Sequence, residues 1–276
     1  MHLFIRKTFL LLLFVITIAC IFPITIQTGF DQKVATQVSL AQTSTAISVF
    51  IPTATIIGLP PNNTSTNSST SSTVTPPIDD PKSKLGAPSW KDNLNNGNNF
   101  DLRSGITNID ENTTIKIENG AIVMSRSVSG GGKTWWLAYL KPKDFYLEGR
   151  FLTQTCNGED QYGLVFRAVN YKDGLGYYFI ATCDGHFNIL RWDGSGASLL
   201  LNGEKTESLH SGSNQVNDLG VWAQGNLIRL YINGKLIKEI NNSALTNSGH
   251  FGLFMDARET AGMSIKLDEI AYWNLP

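Results

Sequence analysis

From about Ala87 onward the chain alternates apolar and polar residues in short runs, and turn dipeptides interrupt the runs. Asn119-Gly120 in "TIKIENGAIVMS", Asp184-Gly185 in "FIATCDGHFNIL" and Asn233-Gly234 in "IRLYINGKLIKEI" each sit between alternating segments, the strongest short-range signal for a β-hairpin. "QGN", Gln224 to Asn226, joins "LGVWA" to "LIRLYI" in the same way, and "FYLEGRFLTQTC", "QYGLVFRAV", "HFGLFM" and "MSIKLDEIAYW" read as further strands. After the leader, no segment keeps a 3.6-residue apolar period over a dozen residues. The pattern predicts an all-β domain of about a dozen strands. Hairpin connections in that number suit two packed antiparallel sheets, a β-sandwich or jelly roll, better than a small barrel.

The first third of the chain follows other rules. Arg6 and Lys7 precede a nearly unbroken apolar run from Phe9 to Ile26, long enough to cross about 30 Å of hydrocarbon as a helix. Positive charge ahead of the run puts the N-terminus inside and the remainder outside. No A-x-A-like site follows closely, and Thr17 stands where a lipoprotein signal ahead of Cys20 has an aliphatic residue. We therefore read residues 1–29 as an uncleaved signal anchor; a cleaved leader would make the domain secreted or lipid-anchored. Val34, Val38, Leu40 and Ala41 form a weak helical stripe beyond it. "PPNNTSTNSSTSSTVTPPIDDPKSK" then has too little apolar surface to offset its ordering entropy and reads as an extended stalk. The expected organisation is anchor 1–29, extracytoplasmic linker 30–86 and sandwich 87–276, in a single-pass protein of the cell membrane.

Charge narrows the partners. The 22 Lys and Arg nearly balance the 23 Asp and Glu, for a net charge of −1, and the basic residues are scattered. That distribution argues against nucleic acid as a partner and leaves the membrane to be met through the N-terminal helix. Of three cysteines, only Cys156 and Cys183 fall outside the leader. In an exported protein two such cysteines are more often a disulfide than a reactive pair, with two buried free thiols as the alternative.

Catalytic and metal motifs are sparse. Glycoside hydrolysis needs two carboxylates at set separation, yet Glu159-Asp160 and Asp268-Glu269 are adjacent pairs, and neighbours on a strand point to opposite faces. Glu148 and Arg150 alternate, as a cross-strand charge pair does. The four histidines, His2, His186, His210 and His250, stand apart without H-E-x-x-H, and no C-x-x-C occurs, so no metal site is assigned. "SGGGK", Ser129 to Lys133, lacks the spacing of a phosphate loop and reads as a flexible connection. Calcium is the one cofactor left open, with Asp101, Asp110, Asp160 and Asp268 as possible loop donors.

Aromatic residues carry more. A sugar ring stacks its C–H face on Trp or Tyr while polar neighbours take its hydroxyls. With Phe179, Ala181 and Cys183 inward, Tyr178, Ile180 and Thr182 point outward; with Phe187 and Ile189 inward, Asn188, Leu190 and Trp192 point outward. The same alternation in "QYGLVFRAV" turns Gly163, Val165 and Arg167 outward. One face then gathers Arg167, Tyr178, Asn188 and Trp192 as the candidate ligand-binding set, unless a loop or strand covers it as a minor core. Trp135 and Trp136 must point opposite ways.

Taken in order, "SWKDNLNNGNNFDL", "IENGAIVMS", "YLEGRFLTQTCNGEDQYGLVFRAVN", "GYYFIATCDGHFNILRWDG", "NLIRLYINGKLIKEI", "SGHFGLFM" and "LDEIAYW" resemble the concanavalin A-like, laminin G-like jelly rolls of bacterial envelope proteins. The likeness runs from about Trp90 to Trp273, and the branch it is most similar to is the 3-keto-disaccharide hydrolase domain. Phe100 departs from it, standing where many such domains carry tryptophan, and "NTTIKIENG" lacks a cysteine that some relatives have. The resemblance implies a two-sheet sandwich and, because the superfamily includes lectins, glucanases, carbohydrate-binding modules and adhesion domains, only an analogy for activity. The favoured reading is a non-catalytic module for a carbohydrate or other cell-surface ligand. A glycoside hydrolase and a structural or protein-interaction domain on a stalk are the alternatives.

Overall fold

The computed structural model describes residues 79–102 and 106–276. The proposed anchor, the juxtamembrane stripe and the linker up to residue 78 lie outside the described residues. Among the described residues the chain forms β1 (Trp90–Asp92), β2 (Ile106–Asn108), β3 (Thr113–Ile117), β4 (Ile122–Arg126), β5 (Thr134–Leu137), β6 (Phe145–Thr155), β7 (Gln161–Ala168) and β8 (Gly176–Thr182). There follow β9 (His186–Trp192), β10 (Ala197–Lys205), β11 (Gln215–Gln224), β12 (Leu227–Ile232), β13 (Lys235–Asn241), β14 (His250–Asp256) and β15 (Met263–Asn274). They make a nine-stranded sheet in the order β13-β12-β11-β6-β15-β4-β3-β2, with β1 also on β15, and a six-stranded sheet in the order β10-β9-β8-β7-β14-β5. Each pairing is antiparallel, so the all-β sandwich is observed.

Local chemistry explains the hairpins. Asn119 and Gly120 have φ of 51° and 72°, and Asn233 and Gly234 have 51° and 76°, the paired left-handed residues that a two-residue hairpin turn requires. At the β8–β9 turn only Gly185 is left-handed, with φ of 93°. The loop there takes in Cys183 and closes through Gly185 N–H donating to Thr182 O at 3.1 Å, the three-residue form.

Period-two alternation builds the core. Leu164 and Phe166 of β7, Tyr177, Phe179 and Ala181 of β8, and Phe187 and Ile189 of β9 are buried against residues of the nine-stranded sheet such as Leu147, Phe151, Leu219 and Leu267. Cys156, just after β6, forms a disulfide with Cys183 in the β8–β9 turn, tying one sheet to the other. Closing a loop of 27 residues contributes about 3 to 4 kcal/mol on the chain-entropy relation.

Residues 79–86, which the composition assigned to the end of the linker, are folded onto the outer face of the nine-stranded sheet. They include the short helix α1 (Lys82–Leu85). Lys82 Nζ donates to Glu148 Oε1 at 2.5 Å, Tyr146 OH donates to Glu148 Oε2 at 2.6 Å, and Trp273 Nε1 donates to Gly86 O at 2.9 Å. Leu85 packs on the cluster of Tyr146, Tyr231 and Trp273. One apolar side chain, a charge pair and an indole hydrogen bond hold this stretch in place.

Candidate functional site

The outer face of the six-stranded sheet carries the site. Alternation sends Tyr178 and Ile180 from β8, Leu190 and Trp192 from β9, Phe254 from β14 and Trp135 from β5 into one cluster on that face. Trp136 faces the core instead, and its Nε1 donates to Phe100 O at 2.6 Å. Over one end of the cluster folds the β7–β8 connection, Asn170 to Leu175. Asn170 Oδ1 accepts from Lys172 N–H at 2.9 Å, and Asp173 Oδ1 accepts from Leu175 N–H at 3.2 Å, the local bonds that turn short Asn/Asp loops back on themselves.

That loop fixes the aromatic side chains by their polar tips. Trp192 Nε1 donates to Asp173 O at 2.8 Å, Tyr178 OH donates to Gly174 O at 2.7 Å, and Trp135 Nε1 donates to Tyr171 O at 3.3 Å. Gly174 has φ of 62°, and a Cβ there would lie 2.5 Å from Tyr178 OH and 2.7 Å from Trp135 Cε2. Because the loop carbonyls consume these N–H and O–H donors, the aromatics present ring faces rather than polar groups. Burial pushes the Tyr178 phenol well above its ordinary pKa, so it stays neutral.

Beyond the loop the face is open. A cleft of about 470 Å³ has Trp135, Tyr178, Ile180, Leu190, Trp192 and Phe254 on its floor and Lys133, Gln161, Asn188, Asn202 and Arg258 around it. Leu199 on the rim is 55% exposed. Asn188 Oδ1 accepts from Gly203 N–H at 2.5 Å, which fixes the amide and leaves its Nδ2 as a donor for a ligand. Gln161, with its carbonyl turned toward Arg258, accepts from Nη1 and Nη2 at 3.3 Å each, while Arg258 Nε donates to Asp256 Oδ2 at 3.3 Å. A second recess of about 280 Å³ shares Gln161, Asn188, Asn202 and Arg258 with the first and adds Glu159, Thr182, Asp184 and His186. The two form one groove, aromatic at one end and polar at the other.

Three of the four residues chosen from the alternation, Tyr178, Asn188 and Trp192, line this cleft. Arg167 does not. The β7–β14 register slips between His250 and Gly252, and at this bulge Arg167 takes φ of 50°, which breaks the alternation and turns its side chain inward. Its guanidinium is fully buried and donates to Gly225 O at 2.7 Å, Leu245 O at 2.9 Å and Lys143 O at 3.3 Å, with Asp144 Oδ1 at 3.2 Å. Arg167 is a cross-link between loops of the sandwich, and its place in the ligand-binding set is corrected accordingly.

The carboxylates have separate structural duties. Arg150 pairs with Asp218 directly across the β6–β11 ladder at 2.9 Å, while Glu148 serves α1. Asp110 accepts from Asn112 N–H and Arg126, and Asp160 accepts from the N–H groups of Asn157, Glu259 and Thr260. Asp101 ends a short 3₁₀ turn, and Asp268 lies within the electrostatic reach of Arg150. Among the described residues no group of three or more His, Cys, Asp or Glu side chains is close enough to hold a metal ion.

Alternation along β7 places Gln161 on the face opposite Leu164, within reach of a sequence reading. Asn202 and Leu199 were out of reach, since β10 pairs with β9 through two register shifts. Arg258 follows β14 in a loop with no local signal.

A family model described as "3-keto-alpha-glucoside-1,2-lyase-like domain" matches residues 89–268. The chain belongs to that family. No curated protein matches it. Among solved structures, one similar to this family member is a Bacillus subtilis protein of unknown function with a galectin-like fold, at 12% identity over 69% of this chain and 97% of that one, with a TM-score of 0.50. The carbohydrate-binding module CBM66 of Bacillus subtilis is similar at 20% identity over 62% and 93%, with a TM-score of 0.43. The Bacillus licheniformis β-glucanase is similar at 10% identity over 69% and 100%, with a TM-score of 0.47. At such identities the first of these is a likeness of fold alone.

Proposed function

We propose that the domain binds a saccharide in the cleft on its six-stranded sheet. The observation that carries this reading is the division of labour in the groove: ring faces whose own donors are already spent, beside the Asn188 amide with its NH2 to spare and the cationic side chains of Lys133 and Arg258. That is the chemistry a sugar ring asks for, apolar C–H on one side and hydroxyls at the edge. The family description makes glucosides oxidised to a ketone at C3 the first ligand class to examine. The disulfide supports an oxidising compartment, and with the leader it supports an extracytoplasmic domain held at the cell membrane.

Calorimetric titration of the full chain with glucosides and 3-keto-glucosides tests the reading. Trp192→Ala removes a ring face and is expected to weaken binding at least about tenfold, 1.4 kcal/mol. Binding unchanged in Trp192→Ala would remove the cleft from consideration. A chain that binds neither ligand type would remove the saccharide.

A further inference from the structure

The loop of residues 170–175 serves a second surface besides the cleft. Its carbonyls hold the cleft floor, while Tyr171, with Val169 before it and Tyr139 after β5, forms an apolar patch outside the cleft. Val169 is 51% exposed, Tyr139 48% and Tyr171 41%. The other large apolar side chains exposed among the described residues, Val128, Leu199, Val216 and Leu236, each come from a different segment, which is ordinary for a folded surface. The patch is built rather than incidental. Tyr139 and Tyr171 meet edge to face, with ring centroids 5.8 Å apart and planes at 76°. Tyr171 lies on the buried His250 ring at 4.0 Å between centroids. The Tyr171 hydroxyl donates to Ala138 O at 3.3 Å, and His250 Nδ1 stands 2.9 Å from the same carbonyl. Burial lowers the His250 pKa below its ordinary value, so the ring under Tyr171 is uncharged near pH 7.

We propose that the Tyr139–Tyr171 patch is a further saccharide subsite, which takes an added sugar ring of the same chain that lies in the cleft, so that the ligand is an oligosaccharide; the inference rests on the saccharide reading above. Continuity with the cleft carries it. Trp135, on the cleft floor, donates its Nε1 hydrogen to Tyr171 O at 3.3 Å, so one backbone group joins the aromatic floor to the outer patch. The chemistry repeats that of the cleft: the Tyr171 hydroxyl is spent on a carbonyl, which leaves ring surface to meet sugar C–H groups. Lys141 and Lys172 are exposed beside these tyrosines in sequence, and among the described residues neither is in an ion pair, so their ammonium groups are donors for sugar hydroxyls. Size decides against a protein partner. Two half-exposed tyrosines and a valine offer roughly 200 to 300 Å², against about 800 Å² on each side of a stable protein interface, whereas one or two sugar rings need no more.

The test is calorimetric titration of the full chain with α- and β-linked gluco-oligosaccharides of about two to six units. In the linkage that binds, wild-type affinity is expected to rise about tenfold from the disaccharide to the longer chains and then level off. Tyr139→Ala and Tyr171→Ala are expected to lose that rise with disaccharide affinity unchanged, and Tyr171→Phe, which keeps the ring, is expected to retain it. Tyr139→Ala leaves the Tyr171 bonds in place and so guards against a disturbed loop in Tyr171→Ala, and unshifted tryptophan emission reports an intact cleft floor in each. Equal wild-type affinity at every length, or a rise that survives both alanine variants, overturns the subsite while the saccharide reading stands. Light scattering on the same samples covers the other occupant: self-association of the wild type that Tyr139→Ala abolishes would assign the patch to a second copy and overturn the subsite. Absence of binding at every length and linkage overturns both readings.

Discussion

Replacing Gly174 by alanine tests whether the loop of residues 170–175 builds the aromatic floor. Gly174 has φ of 62°, where an L-residue costs about 1 to 2 kcal/mol. The new Cβ would also stand 2.5 Å from Tyr178 OH and 2.7 Å from Trp135 Cε2, and overpacking of this kind costs about 1 to 3 kcal/mol. The expected loss is therefore about 2 to 5 kcal/mol, a large part of the 5–15 kcal/mol typical of a whole domain. The rings must move or the loop must lift, and either breaks the Tyr178 bond to the Gly174 carbonyl. Gly196→Ala is the control, because that Cβ would meet nothing within 4 Å. Urea denaturation gives the stability change, and tryptophan emission reports whether Trp135 and Trp192 gain water. Equal midpoints for the two variants, with unshifted emission, would refute the claim that the loop holds the floor.

Two further predictions address residues outside the cleft. Arg167→Met leaves three carbonyls without their guanidinium donor and Asp144 with the Gly225 N–H but no cation, and removing the buried partner of such a pair costs about 3 kcal/mol or more; a loss below about 1 kcal/mol in urea would show that the cross-link is dispensable. For Asp160, burial opposes ionisation, but hydrogen bonds from Thr260, Glu259 and Asn157 outweigh it and lower its pKa. A carboxyl depressed in the folded state contributes stability above its unfolded pKa of about 3.9 and loses it as pH falls through the folded value. Denaturation midpoints measured from pH 7 down to pH 2 should therefore converge for wild type and Asp160→Ala at the acid end, and parallel curves would contradict this.

Much of the sandwich was legible because its signals are local. The Asn-Gly turns dictate their own hairpins, and strict alternation in β8 and β9 sorted Tyr178, Asn188 and Trp192 from Phe179, Phe187 and Ile189 without reference to anything distant. The same logic separated Trp135 from Trp136, and the two cysteines of the β-rich region pointed to the bond between Cys156 and Cys183. By itself, then, the sequence determined the fold class, the existence of the hairpins at the Asn-Gly turns and which side of β8 and β9 faces the core, because period two is a property of the backbone.

Tertiary structure decided the rest. The bulge that turns Arg167 inward depends on how β7 meets β14, the reach of Asn202 and Leu199 into the cleft depends on the register slips of β10, and Arg258 arrives from a loop whose path the sandwich sets. The 170–175 loop becomes a clamp only because its carbonyls find indole and phenol donors on three different strands. Each of these rests on groups brought together by packing, where pairing partners and free donors are chosen by the whole sheet and not by any run of neighbouring residues.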